Sequence, residues 1–115
     1  MSPRRVVLVD NDEAVLGLLQ LDLGLEGHEI VGTATSGETG LRLCADRRPD
    51  VLVVDLRLGA GIDGVDVARQ VQGDGMQVVV YTNYVTPDVV RDAKAAGAIL
   101  VEKGNLSALR RAVAA

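Results

Sequence analysis

Phenylalanine and tryptophan are absent from this 115-residue chain, and two tyrosines are its only aromatic residues. With hydrophobic residues at 48%, valine, leucine and alanine must fill the interior. The single cysteine, Cys44, excludes an internal disulfide and reads as a small buried hydrophobe. No apolar run approaches the roughly 18 residues of a membrane span. Met1 to Val7 is too short an apolar segment for a signal peptide, so a cytoplasmic setting is expected. Positive charge is thin: the net charge is −4, and the arginines fall in scattered pairs such as Arg4-Arg5, Arg47-Arg48 and Arg110-Arg111. That pattern argues against direct nucleic-acid binding. Lysine is scarcer still, with ten arginines against only Lys94 and Lys103. Repeats, low-complexity tracts and linkers are missing, which leaves one domain over residues 1–115.

What is present alternates between two periods. Arg5 to Val9 is a short apolar strand that runs into Asp10-Asn11-Asp12, any of which could cap the next helix. That helix repeats Val15, Leu16, Leu18, Leu19 and Leu23 at helical spacing and ends near Gly24 and Gly27. His28 falls in the following turn and is expected to be solvated. A second strand, Glu29 to Ala34, leads into Thr35-Ser36-Gly37-Glu38, a capping-box start for a helix to about Asp46. Val51 to Val54 is so short and β-branched that it reads as a strand buried on both faces. Helices from about Val65 to Gln72 and from Thr86-Pro87-Asp88 to Ala96 flank a strand from Gln77 to Tyr81. A fifth strand, Ile99 to Val101, precedes a short last helix opened by Asn105 or Ser107 and running to Ala115. Five β-α units in succession predict a doubly wound α/β fold, with a parallel sheet and helices on both faces.

Ligands of such sheets sit at the carboxyl ends of the strands. The residues there are Asp10 and Asn11, then Asp55, then Thr82 and Asn83, then Lys103. Crowded carboxylates and amides suit a hard divalent cation with oxygen ligands, most plausibly Mg²⁺. With that charge offset, Asp55 could attack a phosphoryl group while Thr82 and Lys103 hold its oxygens. A lysine spent at a strand end, in a chain that otherwise uses arginine, suggests a need for a compact point charge.

The segments LVDND, VVDLRLG, VVVYTN and AGAILVEKG, in this order and spacing, resemble the receiver domain of bacterial two-component response regulators. The resemblance covers essentially the whole chain and implies a flavodoxin-like fold with strand order 2-1-3-4-5. It implies that Asp55 accepts a phosphoryl group from a sensor histidine kinase or phosphotransfer protein. Asp10, Asn11, Asp55 and the backbone carbonyl of Arg57 would serve Mg²⁺, and Thr82 and Lys103 would bind the phosphoryl oxygens. The output face would be the fourth helix, fifth strand and last helix, which carries Arg91, Lys94, Arg110 and Arg111 and suits an acidic effector or a homodimer.

The departures narrow these expectations. Asn11 stands where the family usually has a second acid, which removes one negative charge from the metal site. Leu100 stands where strand five usually has an aromatic residue, and Gly104 replaces the proline that usually follows the lysine. The loop after Asp55 lacks the usual proline and is one residue longer. Arg57 and Tyr84, each two residues past a site residue, are expected to flank the phosphoryl position. An aspartate-nucleophile phosphohydrolase needs an acid where Arg57 stands, so a regulatory domain rather than an enzyme is expected. A degenerate receiver that binds its partner without phosphorylation is the alternative that Asn11 allows. Gly59 to Gly64 matches a dinucleotide-binding GxGxxG literally, but Asp55 to Leu58 separate it from the strand. Val65 occupies the place of a P-loop lysine.

Overall fold

The computed structural model describes residues 2–115. Ten elements alternate along the chain: β1 (Arg5–Val9), α1 (Glu13–Leu25), β2 (Glu29–Ala34), α2 (Gly37–Arg47), β3 (Val51–Val54), α3 (Gly64–Val71), β4 (Gln77–Thr82), α4 (Pro87–Ala95), β5 (Ile99–Glu102) and α5 (Leu106–Ala114). All strand pairs are parallel and the sheet order is β2-β1-β3-β4-β5. This is the flavodoxin-like order expected from the sequence.

The buried residues explain the layering. Strand side chains alternate between faces. Val6, Leu8, Val51, Val53, Val79, Tyr81 and Val101 pack with Leu16, Leu19 and Leu23 of α1 and with Leu109, Ala112 and Val113 of α5. On the opposite face, Val7, Val9, Leu52, Val54, Val78 and Val80 pack with Cys44 of α2 and with Val65, Val67, Ala68 and Val71 of α3. Val89 of α4 and Ala96 just beyond it join this second cluster. β3 lies at the centre, and none of its four residues exceeds 2% exposure. A fully buried valine or leucine contributes roughly 1.5–3 kcal/mol, so side chains without bulky rings suffice because nearly all are covered on both sides.

Local chemistry decides which element starts where. Of Asp10, Asn11 and Asp12, it is Asp12 that caps α1, accepting the Ala14 N–H at 2.9 Å. This leaves the Asp10 side chain for other work. The expected capping box before α2 does not form. Ser36 is the cap, accepting from Thr39 N–H, and Glu38 reaches across to the Ile62 N–H at 3.3 Å. A reciprocal box appears instead at α3, between Asp63 and Asp66. Asn105 caps α5. Thr82 and Glu102, read from the sequence as lying past their strands, are the last residues of β4 and β5 and pair with each other.

Two expectations about charged and polar side chains are corrected. His28 is buried rather than solvated, and its Nδ1 accepts the Arg4 N–H at 3.0 Å, closing the end of the sheet remote from Asp55. Arg110 does not belong to an α4–β5–α5 surface. It forks onto the buried carboxylate of Asp22 on α1, with Nε 3.1 Å from Oδ2. The two helices on that face of the sheet are thereby joined, and Arg91 and Lys94 are left as the basic residues of α4.

Burial also silences the one thiol. Cys44 is 3% exposed, and desolvation, with Asp74 adding to it, pushes the thiol up to about 11 from 9.0. Thiolate is the reactive form, so two units correspond to about 100-fold less of it below pH 9. Disulfide-reagent titration at mildly alkaline pH should therefore modify the native protein at least about 100-fold more slowly than the denatured chain. Comparable rates would show that α2 opens readily.

Candidate functional site

Four strand ends converge because the sheet is parallel and its registers are short. Asp55 follows Val54, and its N–H donates to the Val9 carbonyl at 2.9 Å, which sets it beside Asp10. The Lys103 N–H donates to the Thr82 carbonyl at 2.9 Å, extending the β4–β5 ladder by one bond. From there the Lys103 side chain crosses to the centre of the sheet edge. Its Nζ lies 2.9 Å from Asp10 Oδ2 and 2.9 Å from Asp55 Oδ2.

All three side chains are shielded. Asp10 is 3% exposed, Asp55 7% and Lys103 16%. Burial raises the Asp10 carboxyl; the Asp12 N–H, 2.9 Å from Oδ1, and Lys103 pull it down, Asp55 adds a further upward push, and the net direction is up. Burial alone would lower the Lys103 ammonium, but its hydrogen bonds to Asp55 and Asp10 outweigh that and raise it. The ammonium is thus the charge that allows two adjacent carboxylates to share a buried edge.

One atom is left over. Asp55 Oδ1 is buried and has no hydrogen-bond partner among the described residues. An unpartnered buried carboxylate oxygen is costly.

The other expected site residues lie around this triad at differing distances from its chemistry. Thr82 is fully buried, and its Oγ1 accepts the Tyr84 N–H at 3.1 Å rather than contacting Asp55. Asn11 is exposed and lines a cavity of about 590 Å³ with Arg57, Asp63, Arg69 and Asp92. Arg57 and Tyr84, expected from the sequence only to flank one position, contact each other: the guanidinium carbon is 4.2 Å from the centroid of the Tyr84 ring. This stack joins the loop after β3 to the loop after β4.

The oxygen ligands fit a hard cation such as Mg²⁺ in kind. Asp10 and Asp55 supply carboxylates and Asp55 Oδ1 is unengaged, while Asn11 and Arg57, the residues following these two strand ends, line a common cavity. They are lean in charge. Among the described residues no three His, Cys, Asp or Glu side chains gather at one point.

The glycine loop contributes sterically. A Cβ on Gly64 would lie 2.2 Å from the Asp55 carbonyl oxygen, and the Gly64 N–H donates to the Leu56 carbonyl at 2.8 Å. The start of α3 is therefore pressed against the Asp55 backbone, an approach that only glycine permits. Sequence reasoning missed Tyr81. Its ring is 3% exposed on the α1–α5 face, and its Oη accepts the Gly104 N–H at 3.0 Å.

The family model of the response regulator receiver domain matches residues 6–113. The chain belongs to that family. It is 40% identical over 78 residues to the transcriptional regulatory protein AfsQ1 of Streptomyces coelicolor, covering 67% of this chain and 34% of that protein. It is 32% identical over 114 residues to the transcriptional regulatory protein PdtaR of Mycobacterium tuberculosis, covering 96% of this chain and 55% of that protein. The chain thus spans about a third to about half of the length of these relatives. Among solved structures, the signal receiver domain of the response regulator NarL from Mycobacterium tuberculosis superposes with a TM-score of 0.86 at 27% identity, covering 97% of this chain and 98% of that one. The family is one of regulatory domains, and no helix among the described residues is long and apolar enough to cross a membrane.

Proposed function

We propose that residues 1–115 act as one phosphorylation-switched receiver domain, with Asp55 as the phosphoacceptor. The observation that carries this reading is the pairing of a free, buried Asp55 Oδ1 with an ammonium on the other oxygen of the same carboxylate. Asp55 Oδ1 would attack the phosphorus of a phosphohistidine on a sensor histidine kinase or phosphotransfer protein. A P–O bond forms, the P–N bond breaks, and the imidazole leaves with its electron pair. Lys103, already within hydrogen-bond distance of the carboxylate, would turn to a phosphoryl oxygen, and Thr82 would give up Tyr84 N–H to reach another. Mg²⁺, held by Asp10, Asp55, the Arg57 carbonyl and Asn11, would offset the negative charge that the phosphoryl group brings. The setting proposed is cytoplasmic. Loss of the Thr82–Tyr84 bond would alter the β4–α4 loop, whose Val85 is exposed together with Val90 of α4 and Ile99 of β5. That α4–β5–α5 face is the proposed contact for an effector or a second copy.

Mass spectrometry after incubation with acetyl phosphate and Mg²⁺ tests the reading. A phosphoryl adduct on Asp55, absent from Asp55→Asn, is expected. No adduct in the wild-type chain would favour a binding module that works without phosphorylation, and steady release of phosphate would indicate a hydrolase.

The amide at position 11 should tune the metal. A unit charge at ~4 Å and intermediate dielectric is worth roughly 4 kcal/mol, and solvent exposure of Asn11 reduces that. Asn11→Asp should lower the Mg²⁺ concentration for half-maximal phosphorylation about tenfold. Equal Mg²⁺ dependence in the two proteins would sink the assignment of Asn11.

The Arg57–Tyr84 stack would screen the acyl phosphate from water. Arg57→Ala and Tyr84→Ala should each speed its decay severalfold, with the double variant falling short of the product because the two side chains act as one lid. Decay unchanged in both single variants would refute the screen.

A further inference from the structure

Lys103 is anchored to β4 twice. Its own N–H donates to the Thr82 carbonyl at 2.9 Å, and the next N–H, that of Gly104, donates to the Tyr81 phenol at 3.0 Å. The two bonds leave successive N–H groups just past β5, one to a backbone carbonyl and one to a buried side chain. Lys103 therefore lies between two fixed points. After it the chain turns sharply, with Gly104 at φ +95° and the Asn105 N–H returning to the Glu102 carbonyl at 3.1 Å. Proline could not stand at 104 in this conformation, since its φ is confined near −65° and it has no N–H to donate.

Nothing about packing requires the Tyr81 hydroxyl. The ring sits among Leu8, Val53, Val79, Val101 and Leu109, where a phenyl group would bury the same apolar surface without a polar atom to satisfy. The hydroxyl meets one donor, and that donor immediately follows the lysine whose Nζ spans Asp10 and Asp55. Thr82, on the opposite face of β4, is tied to the β4–α4 loop through Tyr84. The end of β4 thus holds both the hydroxyl and, through Tyr81, the turn that carries the ammonium.

We propose that Tyr81 is a positioning residue for Lys103, acting through the Gly104 amide so that the ammonium stays in register with Asp55 when Thr82 changes partner. The phosphorylation role of Lys103 rests on the function proposed above; the positioning itself does not. With the Tyr81 hydroxyl removed, the Thr82 carbonyl is the one hydrogen bond left from β4 to residues 103–104, and the long lysine side chain samples positions off the carboxylates.

The scarcity of lysine makes this directly readable. In protein labelled with ¹⁵N-lysine, only Lys94 and Lys103 contribute side-chain ammonium signals, and Lys94 is exposed and serves as internal reference. In Tyr81→Phe, hydrogen exchange at the Lys103 ammonium should accelerate at least fivefold relative to Lys94, and the Gly104 amide should exchange at least tenfold faster. Amides of β3 should be unaffected. Phosphorylation by acetyl phosphate should slow about fivefold. A Lys103 ammonium that exchanges as in the wild type would overturn the proposal, as would altered exchange with an unaltered phosphorylation rate. If the wild-type chain takes up no phosphoryl group, the function proposed above fails, and the ammonium exchange still decides whether Tyr81 positions Lys103.

Discussion

The contact on which the rest of this domain depends is the Lys103 ammonium held 2.9 Å from two carboxylates. Asp10 follows β1, Asp55 follows β3 and Lys103 follows β5, so the ion cluster ties together elements that only the whole sheet brings into range. Removing the ammonium would leave two buried, mutually repelling carboxylates, a situation worth several kcal/mol against folding. In the function proposed, a phosphoryl group on Asp55 would meet an ammonium already beside that carboxylate, and Lys103 and Thr82 would have to change partners.

The surrounding structure serves that cluster at different ranges. The β-branched centre of the sheet sets the strand ends in one line. Asp12 takes over the capping of α1, which frees Asp10 from that task. Tyr81 and Thr82 then divide the end of β4 between its two faces, one holding the turn after Lys103 and the other the loop toward Tyr84. Arg57 lies over Tyr84 and connects the loops after β3 and β4.

The fold was legible in the sequence almost completely, because a parallel sheet covered on both faces writes itself as short β-branched runs alternating with amphipathic helices. Convergence of Asp10, Asp55 and Lys103 was legible for the same reason, as it follows from where the strands end. What escaped were choices between chemically equivalent partners. Thr35-Ser36-Gly37-Glu38 satisfies a capping-box pattern one residue out of register with the cap that forms, since Ser36 caps equally well and frees Glu38 for Ile62 N–H. His28 looks like a turn residue until the Arg4 N–H is found against its ring. Arg110 looks like surface charge until α1 supplies Asp22. Such pairings between residues far apart in the chain have no signature in local pattern, and the Tyr81–Gly104 bond belongs with them.

The glycine loop after Asp55 has one immovable end. Gly64 is pressed against the Asp55 carbonyl, whereas Gly59 to Gly61 and Asp63 are exposed and Ile62 is only partly covered. Insertions about Gly59 and Ala60 are accordingly absorbed at the surface, provided that Ile62 keeps its bond to Glu38, Asp63 still caps α3 and the residue entering α3 remains without a side chain. The segment is an exposed stretch bounded by a fixed joint at Gly64. In engineering terms it is an insertion point, where a reporter peptide could be carried within a few residues of the proposed phosphoacceptor without entering its packing.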